Sequence, residues 1–532
     1  MKTYRKGWGA AALFLLVLAV PVFAKGQPEA KKADAGTGAL SKDLVTLTLM
    51  RDDPASQPLR QDSLVLQYLE KKLNIRVKIE ATPAASYAEK KKLLIATDKL
   101  PDISLVTQKD IMDFSASGVF LNISGYLDQM PNFKAVYAKY PEMRKLQIDD
   151  KILGFPLICR WQTRGGQLPV VRQDLLKKYG IAVPKTFDEF RAMLAVFKKN
   201  EPDKIPMTNR KGGSTSGTQK VLDCMAYPLG SGSKLYYDHD VDGGTFLFGP
   251  ATQQFKAVLT YLNGLYKDGL MDKDYATNTV DLWKEKMSSG KALSFFDNAG
   301  FAEDFNLALN AVQPGASMQP ILSLKNSLGQ TRNWFYDKHW PESAYVISDR
   351  SKNKDVAIKL MDWCFSEEGC NTTGFGVLGE TYQIVDGKPR ILDAVLEKYK
   401  NAKTNSPSYE IQSALGVGYL SFAPYIDQGA GYQMTLYMQE GAKRDAYIAL
   451  WSSIENDPGM REPVINPPIS SADAARVKTL QSAVENILMQ EWDKYIMGLE
   501  PIANYDKVIQ KARDAGAAEI EAIYNKANKK YK

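Results

Sequence analysis

Acidic residues at alternate positions form the most metal-like pattern in the chain. The segment Asp238–Gly243 reads Asp-x-Asp-x-Asp-Gly, which matches the first half of a calcium-binding loop. The twelfth position of such a loop supplies a bidentate glutamate, and here it is Gly249. The pattern therefore favours a hairpin turn between the aromatic pairs at 236–237 and 246–248 over a calcium site.

Motifs with the fixed spacing of known catalytic sites are absent from the sequence. It contains no GxSxG, HExxH, Walker loop or dinucleotide fingerprint. The adjacent acids Glu367 and Glu368 resemble a glycosidase pair, but solvation of a helix end explains them more simply. The two histidines, His239 and His339, are too few for a histidine-rich metal site. We expect no catalytic residue, no cofactor and no required metal.

Aromatic residues in polar loops point instead to ligand binding. Sugar rings stack their apolar C–H faces on aromatic rings, and their hydroxyls need carboxylate, amide or guanidinium partners. Trp161 lies in CRWQTR, Trp334 lies in NWFYDKHW, and Tyr382 and Tyr425 lie near glycine or proline. Core packing explains any one of them, but their recurrence at predicted strand ends favours a binding site.

Length and charge narrow the class of protein. A chain of 532 residues exceeds one core and suits two lobes. Its composition, 44% hydrophobic and 24% charged, is that of a soluble globular protein. The formal charge of +7 falls to +4 without Lys2, Arg5 and Lys6, and the remainder is too small to indicate a nucleic-acid partner.

Residues 1–24 have the pattern of a secretory signal. A basic start precedes an apolar run from Ala10 to Val20, and Val22-Phe23-Ala24 provides a small-x-small cleavage site. No cysteine follows to carry a lipid, so we expect cleavage after Ala24 and a free periplasmic protein. Residues 25–43 are polar and are predicted to form a flexible linker.

The four cysteines leave two interpretations open. Cys364 and Cys370 are close enough in sequence to pair across a predicted helix end, and an exported protein can form disulfides. Cys159, Cys224 and this pair are explained equally well as buried free thiols.

Apolar alternation and capping residues predict two sets of α/β elements. The first set comprises a strand from Leu44, a helix from Asp62 or Ser63 to Asn74, a strand over 75–79, a helix from Ser86 to about Thr97 and a strand over 101–106. This β-α-β-α-β order predicts right-handed crossovers and a mostly parallel sheet. Ligands meet such sheets at the carboxyl ends of the strands, where Arg51, Asp52, Asp53 and Thr107–Asp110 lie.

The second set follows Gly154–Pro156. It comprises a strand over 167–173, a helix with Thr186 and Glu189 as a capping box, strands over 292–298 and 344–348, a helix from Asn353 to near Gly369, and a long amphipathic helix from Ser470 or Ser471 through Tyr495.

Several segments, taken in order, resemble the extracellular solute-binding protein family 1, especially its large and often lipid-anchored branch. The resemblance runs from about Leu44 to the C-terminus and rests on KLLIATDKLPDISLV, DDKILGFP, VVRQDLLKKYGIAVPKTFDEF, YLNGLYKDGLMD and FGVLGETYQIVDGKP. The family's longer Asp- and Gly-rich loop, a possible ion site, is shortened to Asn200–Thr208 in this chain. We therefore expect no calcium there.

The resemblance implies a periplasmic-binding-protein-like type II fold of two α/β lobes joined by a hinge, with the ligand cleft between them. Residues 44–155 and 341–400 would form lobe 1, and residues 156–340 and 401–532 would form lobe 2. The resemblance further implies a set of ligand-binding residues. Arg51, Asp52, Asp53, Thr107 and Asp110 would line one wall, Trp161 would lie near the hinge, Arg210, Phe296, Asp297 and Asn298 would line the other wall, and Trp334 and Tyr382 would complete the site.

The expected function is that of the binding component of an ABC importer. Its partners would be a small-molecule ligand, an oligosaccharide, and the permease subunits, and the protein would act as a monomer. A receptor for a peptide or another small organic solute is the first alternative. A secreted carbohydrate-active enzyme is the second, and the lack of a recognisable acid pair disfavours it.

Overall fold

A computed structural model describes residues 38–531, except for a set of short segments. The segments outside the description are 56, 141–142, 145–146, 160–165, 213–214, 336–342, 401–406, 419–421, 423, 427–440 and 462–463. Trp161, predicted to lie near the hinge, falls outside the described residues.

Sixteen strands form one five-stranded sheet, one three-stranded sheet and several two-stranded ribbons in the described chain. They are β1 Val45–Asp53, β2 Ile75–Pro83, β3 Ile103–Thr107, β4 Phe155–Pro156, β5 Ile158–Cys159, β6 Gln167–Arg172, β7 Leu235–Asp238, β8 Thr245–Phe248, β9 Ser294–Asn298, β10 Met318–Pro320, β11 Asn333–Trp334, β12 Ser343–Ile347, β13 Tyr382–Val385, β14 Lys388–Ile391, β15 Tyr425–Ile426 and β16 Met460–Arg461.

The α-helices that the structure describes follow the same chain order. They are α1 Leu64–Leu73, α2 Ala84–Ala96, α3 Gln108–Phe114, α4 Pro131–Lys139, α5 Gln173–Lys178, α6 Phe187–Asn200, α7 Gly217–Met225, α8 Phe255–Lys267, α9 Val280–Ser288, α10 Phe301–Val312, α11 Lys354–Cys364, α12 Glu367–Phe375, α13 Asp393–Tyr399, α14 Pro407–Leu415, α15 Gly441–Glu455, α16 Ser471–Met489, α17 Trp492–Ile496, α18 Tyr505–Asp514 and α19 Ala517–Asn528. None of these helices combines the length and the apolar character needed to cross a bilayer.

The five-stranded sheet has the order β2-β1-β3-β12-β4. β1 runs parallel to β2 from Val45 to Asp53 and parallel to β3, which confirms the predicted parallel β-α-β-α-β unit. β12 enters between β3 and β4 and is antiparallel to both. The sheet is therefore mixed, because a strand from the second half of the chain completes the lobe that the first half begins.

The core around this sheet extends beyond the predicted lobe boundary at residue 400. Ile411, Leu415, Val417 and Phe422 are buried in it, because α14 packs beside α1. At the other end, the amide of Leu40 donates to Leu73 O (3.0 Å). The end of the predicted linker is thus fixed against α1, and the lobe ranges derived from sequence stay a prediction.

The second sheet has the order β10-β6-β9 and separates two cores. Residues 205–208 lie parallel to β9 along its outer edge. Successive side chains of a strand point to opposite faces, so Phe295 packs with Trp283 while Phe296 packs with Phe187 and the helices on the other side.

Two predicted helices are each interrupted in the structure. The helix expected from Asn353 to near Gly369 ends at Cys364, because Ser366 caps a new helix by accepting from Gly369 N (3.0 Å). The helix expected to run from Ser470 or Ser471 through Tyr495 is divided into α16 and α17. The predicted N-cap at Thr186 is confirmed, since Thr186 Oγ1 accepts from Glu189 N (3.1 Å). The Glu189 carboxylate accepts from Lys185 N (2.7 Å) rather than from Thr186 N, so the predicted capping box does not form.

One edge of each sheet receives the segments that connect the lobes. In the first sheet, Thr107 pairs with Ser343 and Pro156 pairs with Ala344, so the end of β3 and the start of β12 share an edge with the end of β4. In the second sheet, Gln167 pairs with Asn298.

The chain passes between these two edges three times. It crosses after β4 and β5, returns before β12, and crosses again after β15, which pairs in parallel with β5. The edge of each lobe that carries polar residues at its strand ends therefore faces the hinge.

A buried ammonium group organises the loops at the edge of the second sheet. Lys286 is 3% exposed, and its Nζ donates to Asp272 Oδ2 (2.8 Å) and to Asn278 Oδ1 (2.8 Å). Thr208 Oγ1 donates to the same Asp272 oxygen (2.7 Å). Asn278 in turn binds the segment 208–211 by donating to the backbone oxygen of residue 209 and accepting from the amide of residue 211. Lys286 thus fixes a loop at the strand ends.

We predict that Lys286→Met destabilises the protein by about 3–5 kcal/mol, because the Asp272 carboxylate stays buried without its cation. Lys284→Met, on the exposed face of the same helix, is the matched control and should change stability by about 0.5 kcal/mol or less. Urea unfolding measures both variants, and equal losses for the two would contradict a structural role for Lys286.

Glu303 places a second titratable group in a poorly solvated position, where α10 meets α15. Its Oε1 is shielded from solvent and has no hydrogen-bond partner among the described residues. Burial raises the pKa of Glu303 to about 7, with the neighbouring Asp304 carboxyl adding to the rise and hydrogen bonds with Tyr447 and Trp451 opposing it. The folded protein therefore binds this proton more tightly than the unfolded chain does.

We predict that the free energy of unfolding falls as pH rises from about 4.5 to 7, because the native state then loses its preferred protonated form. Glu303→Gln should remove this part of the fall and make the protein more stable at pH 8 by about 1–3 kcal/mol. Unfolding measured from pH 5 to 8 checks the prediction, with the exposed Glu285→Gln as control. Parallel stability curves for wild type and Glu303→Gln would count against it.

Candidate functional site

The end of β1 contributes a buried arginine and a partly exposed carboxylate. Arg51 is 2% exposed, and its Nη1 donates to the Tyr345 hydroxyl (3.3 Å) on β12. Its Nη2 donates to Asp52 Oδ1 (3.1 Å), and the Asp52 side chain is 29% exposed. Asp53 Oδ1 accepts from Leu59 N (2.8 Å) and shapes the loop that follows the strand. Of these predicted residues, Asp52 is the one that reaches solvent with an accepting group while being held in position by Arg51.

Thr107 and Asp110 form the capping box of α3. Thr107 Oγ1 accepts from Asp110 N (3.1 Å), and Asp110 Oδ2 accepts from Thr107 N (2.9 Å). The buried Lys91 ammonium lies 2.5 Å from the same carboxylate oxygen. Although burial opposes ionisation, the hydrogen bonds from Lys91 and Thr107 lower the pKa of Asp110. These contacts account for the buried Asp110 carboxylate as part of the fold.

The end of β9 carries a carboxylate held between two cations. Asp297 is 4% exposed, and its Oδ2 accepts from Arg210 Nε (2.8 Å) while its Oδ1 lies 3.0 Å from Lys220 Nζ. Asn298 follows, and its Oδ1 accepts from Gly300 N (2.9 Å) at the turn into α10. The structure therefore brings Arg210, Asp297 and Asn298 together at the edge that faces the hinge.

Lys220 was missed by the sequence analysis. It lies on α7, far from Asp297 in the chain, and no local pattern links the two residues. Ser216 is a local sequence signal for the start of α7, the helix that carries Lys220, because its Oγ accepts from Gln219 N (3.1 Å) as an N-cap. This signal locates the helix but not the ion pair.

Two of the predicted residues lie in the cores instead. Phe296 is 3% exposed and stacks on Phe187 with the ring centroids 6.3 Å apart. Tyr382 is 4% exposed and packs against Phe375 within the first core. Neither ring lies in the group of polar residues at the strand ends.

Trp334 is held as part of an aromatic stack beside the second sheet. Its ring lies 3.9 Å from the ring of Tyr227 at an angle of 19°. The Arg332 guanidinium lies 4.4 Å from the same Tyr227 ring. Asn333 Nδ2 donates to Gln167 O (2.6 Å), which ties β11 to the strand that begins at the crossing. Trp334 is thus partly exposed and rigidly supported at the hinge-facing edge.

The acidic segment at 238–243 is a hairpin turn, as predicted. β7 and β8 pair from Leu235 with Phe248 to Asp238 with Thr245. Asp238 accepts from Arg332 Nη1 at 3.0 and 3.1 Å. Its carboxylate is therefore neutralised by an arginine that lies outside the motif.

In the shortened loop at 200–208, the Glu201 carboxylate is engaged by neighbouring side chains. Glu201 Oε1 accepts from Lys178 Nζ (3.0 Å) and from the Tyr179 hydroxyl. Within the described ranges, no group of three His, Cys, Asp or Glu residues could hold a metal. Cys224, Cys364 and Cys370 are buried and form no disulfide, so the alternative of a Cys364–Cys370 disulfide is wrong. The side chain of Cys159 lies outside the described residues.

Sequence comparisons match the chain to the bacterial extracellular solute-binding protein model over residues 55–369, more than half of its length. A relative named "Polygalacturonan/rhamnogalacturonan-binding protein YtcQ" from Bacillus subtilis is 23% identical over 98% of this chain and 98% of its own. The fructooligosaccharide ABC transporter substrate-binding protein FusA from Streptococcus pneumoniae is 23% identical over 96% of this chain and 98% of its own.

Solved structures show the same fold. The alginate-binding protein AlgQ2 without calcium ion superposes with a TM-score of 0.75 at 20% identity, covering 92% of this chain and 99% of that one. An HMO-binding, ABC-transporter-associated protein from Bifidobacterium longum infantis gives 0.68 at 19% identity, covering 91% and 99%. The periplasmic-binding-protein-like type II fold with two lobes and a cleft is therefore confirmed. From its matched model and its architecture, the chain belongs to the bacterial extracellular solute-binding protein family.

Proposed function

We propose that this protein is the extracytoplasmic solute-binding component of an ABC importer and that its ligand is an oligosaccharide. The observation that carries the proposal is the set of polar and aromatic groups at the strand ends of the two sheets. Asp52, Arg210, Asp297, Asn298 and Trp334 combine carboxylate, guanidinium, amide and indole groups, which are the partners that sugar hydroxyls and ring faces need.

The names of the relatives support the class of ligand. They are named for polygalacturonan, rhamnogalacturonan, fructo-oligosaccharide and alginate, all of them polymers or oligomers of sugars. A peptide or another small organic solute is the alternative ligand. An enzyme is disfavoured because the carboxylate at the end of β9 is bound by two cations and is buried, which leaves it unsuited to proton transfer.

Ligand binding would work by closure of the two lobes about the hinge between them. The two lobes are in contact where α16 packs against α3, and Lys478 Nζ lies 4.0 Å from Asp113 Oδ2 there. The Lys478 side chain is 63% exposed, so this ion pair contributes little to holding the lobes together. The permease would then recognise the closed form.

The test is a titration of the purified protein with neutral and acidic oligosaccharides and with short peptides. Ligand that binds only the native state raises stability by mass action, so a thermal-shift screen finds the class and calorimetry measures the affinity. We expect a sugar to bind without being cleaved. Binding of peptides alone, or cleavage of the sugar, would overturn the proposal.

The variant Trp334→Ala, measured in the same titrations, tests whether Trp334 contacts the ligand. Loss of a stacking ring should weaken binding by about 1–3 kcal/mol. Trp334→Phe is the control, because it keeps an aromatic face on Tyr227 and should lose less. Unchanged affinity in Trp334→Ala, with a large loss of stability, would show that the indole only packs.

The family is extracellular, and we further propose that residues 1–24 direct export, that cleavage follows Ala24, and that the released protein is monomeric and carries no lipid. One relative is named a lipoprotein, so the mass of the exported protein should be examined for an attached lipid. Native and denaturing mass spectrometry of the exported protein should give a monomer that starts at Lys25. A diacylglycerol mass would refute the absence of a lipid.

A further inference from the structure

Arg210 is partly exposed, and most of its side-chain donors are not used within the part of the fold that the structure describes. Within the described part of the fold, Arg210 Nε donates a hydrogen bond to Asp297 Oδ2 (2.8 Å). Nη1 and Nη2 have no hydrogen-bond partner among the residues that the structure describes, and the side chain is 17% exposed. By contrast, Arg172 uses Nε, Nη1 and Nη2 on neighbouring side chains. The outer edge of the Arg210 guanidinium is therefore available at the hinge-facing edge of the sheet.

The Arg210 guanidinium is also fixed in orientation. Its central carbon lies 5.4 Å from the ring centroid of Trp283 and 5.2 Å from that of Phe301. Two aromatic rings and the Asp297 carboxylate thus hold the side chain, and the loop beneath it is anchored by Lys286. A fork of two N–H donors held in this way loses little entropy when a ligand binds.

The charge around Arg210 is unbalanced. Asp297 is the one carboxylate that forms an ion pair with Arg210 or Lys220 among the described residues, so this cluster carries one positive charge in excess. The exposed Lys211 follows in the chain and adds to it. At the opposite edge, Arg51 with Asp52 and Lys91 with Asp110 are balanced pairs. The cluster of Arg210, Lys220 and Asp297 therefore carries a positive excess that the paired groups of the first edge lack.

We infer that Arg210 binds a carboxylate of an acidic, uronate-containing oligosaccharide through Nη1 and Nη2. A planar carboxylate matches the two parallel N–H donors of a guanidinium, and charge-assisted bonds of this kind are about twice as strong as neutral ones. A neutral sugar would leave the excess charge desolvated when the lobes close, so Arg210 also selects against it. The inference rests on the proposed function and names the ligand class at that site.

The test compares an acid with its own neutral ester. The probes are trimers prepared from polygalacturonate and from alginate, each also as its methyl ester, titrated calorimetrically into the full mature protein. We expect at least one acid to bind about ten- to a hundredfold more tightly than its ester, with a preference that shrinks as salt rises. Arg210→Gln should abolish the preference, so that the acid and its ester bind this variant with about equal affinity.

Two further variants separate recognition from folding. Arg210→Lys keeps the charge and the partner of Asp297 but lacks the fork, so it should retain only part of the preference. Lys211→Gln removes an exposed neighbouring charge and should retain nearly all of it. Thermal unfolding establishes that each variant is folded before its affinities are compared.

The outcomes distinguish the inference from the proposed function. The inference would be overturned if the esters bound as tightly as the acids, or if only neutral oligosaccharides bound. Either result would leave the proposed function, an oligosaccharide receptor, unaffected. An acid preference that survives in Arg210→Gln and Arg210→Lys would also overturn it. Binding of peptides and of no sugar would overturn both.

Discussion

Lys286 carries a positive charge into a region with almost no access to water, and three parts of the second lobe meet there. Its ammonium group binds the loop after α8 through Asp272 and Asn278. Asn278 holds the segment 208–211, and Asn209 Nδ2 reaches Gly217 O (3.1 Å) at the start of α7. The positions of Arg210 and Lys220 relative to Asp297 therefore depend on one buried ion pair, whose removal would leave an uncompensated charge.

The two hinge-facing edges have different electrostatic characters for a structural reason. At the first edge, each cation is matched by a carboxylate that closes a local motif, such as the capping box of α3. At the second edge, two cations from separate elements converge on Asp297 because the Arg210 loop and α7 both end beside β9. Because Arg210 and Lys220 come from distant parts of the chain and share one carboxylate, one positive charge is left without a partner.

Local patterns predicted most of the first sheet and much less of the site. Alternation in β1 and β2 and the Thr186 cap are short-range signals, and the structure follows them. Thr107-x-x-Asp110 is itself a capping-box pattern, and that signal in the sequence would have placed Asp110 in the fold rather than among the ligand contacts. The sequence shows that neighbouring residues of β9 point to opposite faces of the sheet, but not which face is the core and which is the cleft. Phe296 could therefore be assigned to the core only once its contact with Phe187 was known. Lys220 and Tyr227 could not be found, because their partners are remote in sequence.

The insertion of β12 between β3 and β4 sets the order in which the protein can assemble during synthesis. Both neighbours leave the ribosome long before residues 343–347 do, and each then exposes an unpaired strand edge of the kind that recruits other chains. The first sheet cannot close until most of the chain has been made, and the segment that would form the second sheet emerges meanwhile. Neither lobe can be completed early, because the core of the second lobe in turn includes residues from Ile469 to Tyr524. A chain released before residue 343 would present two open edges to its neighbours.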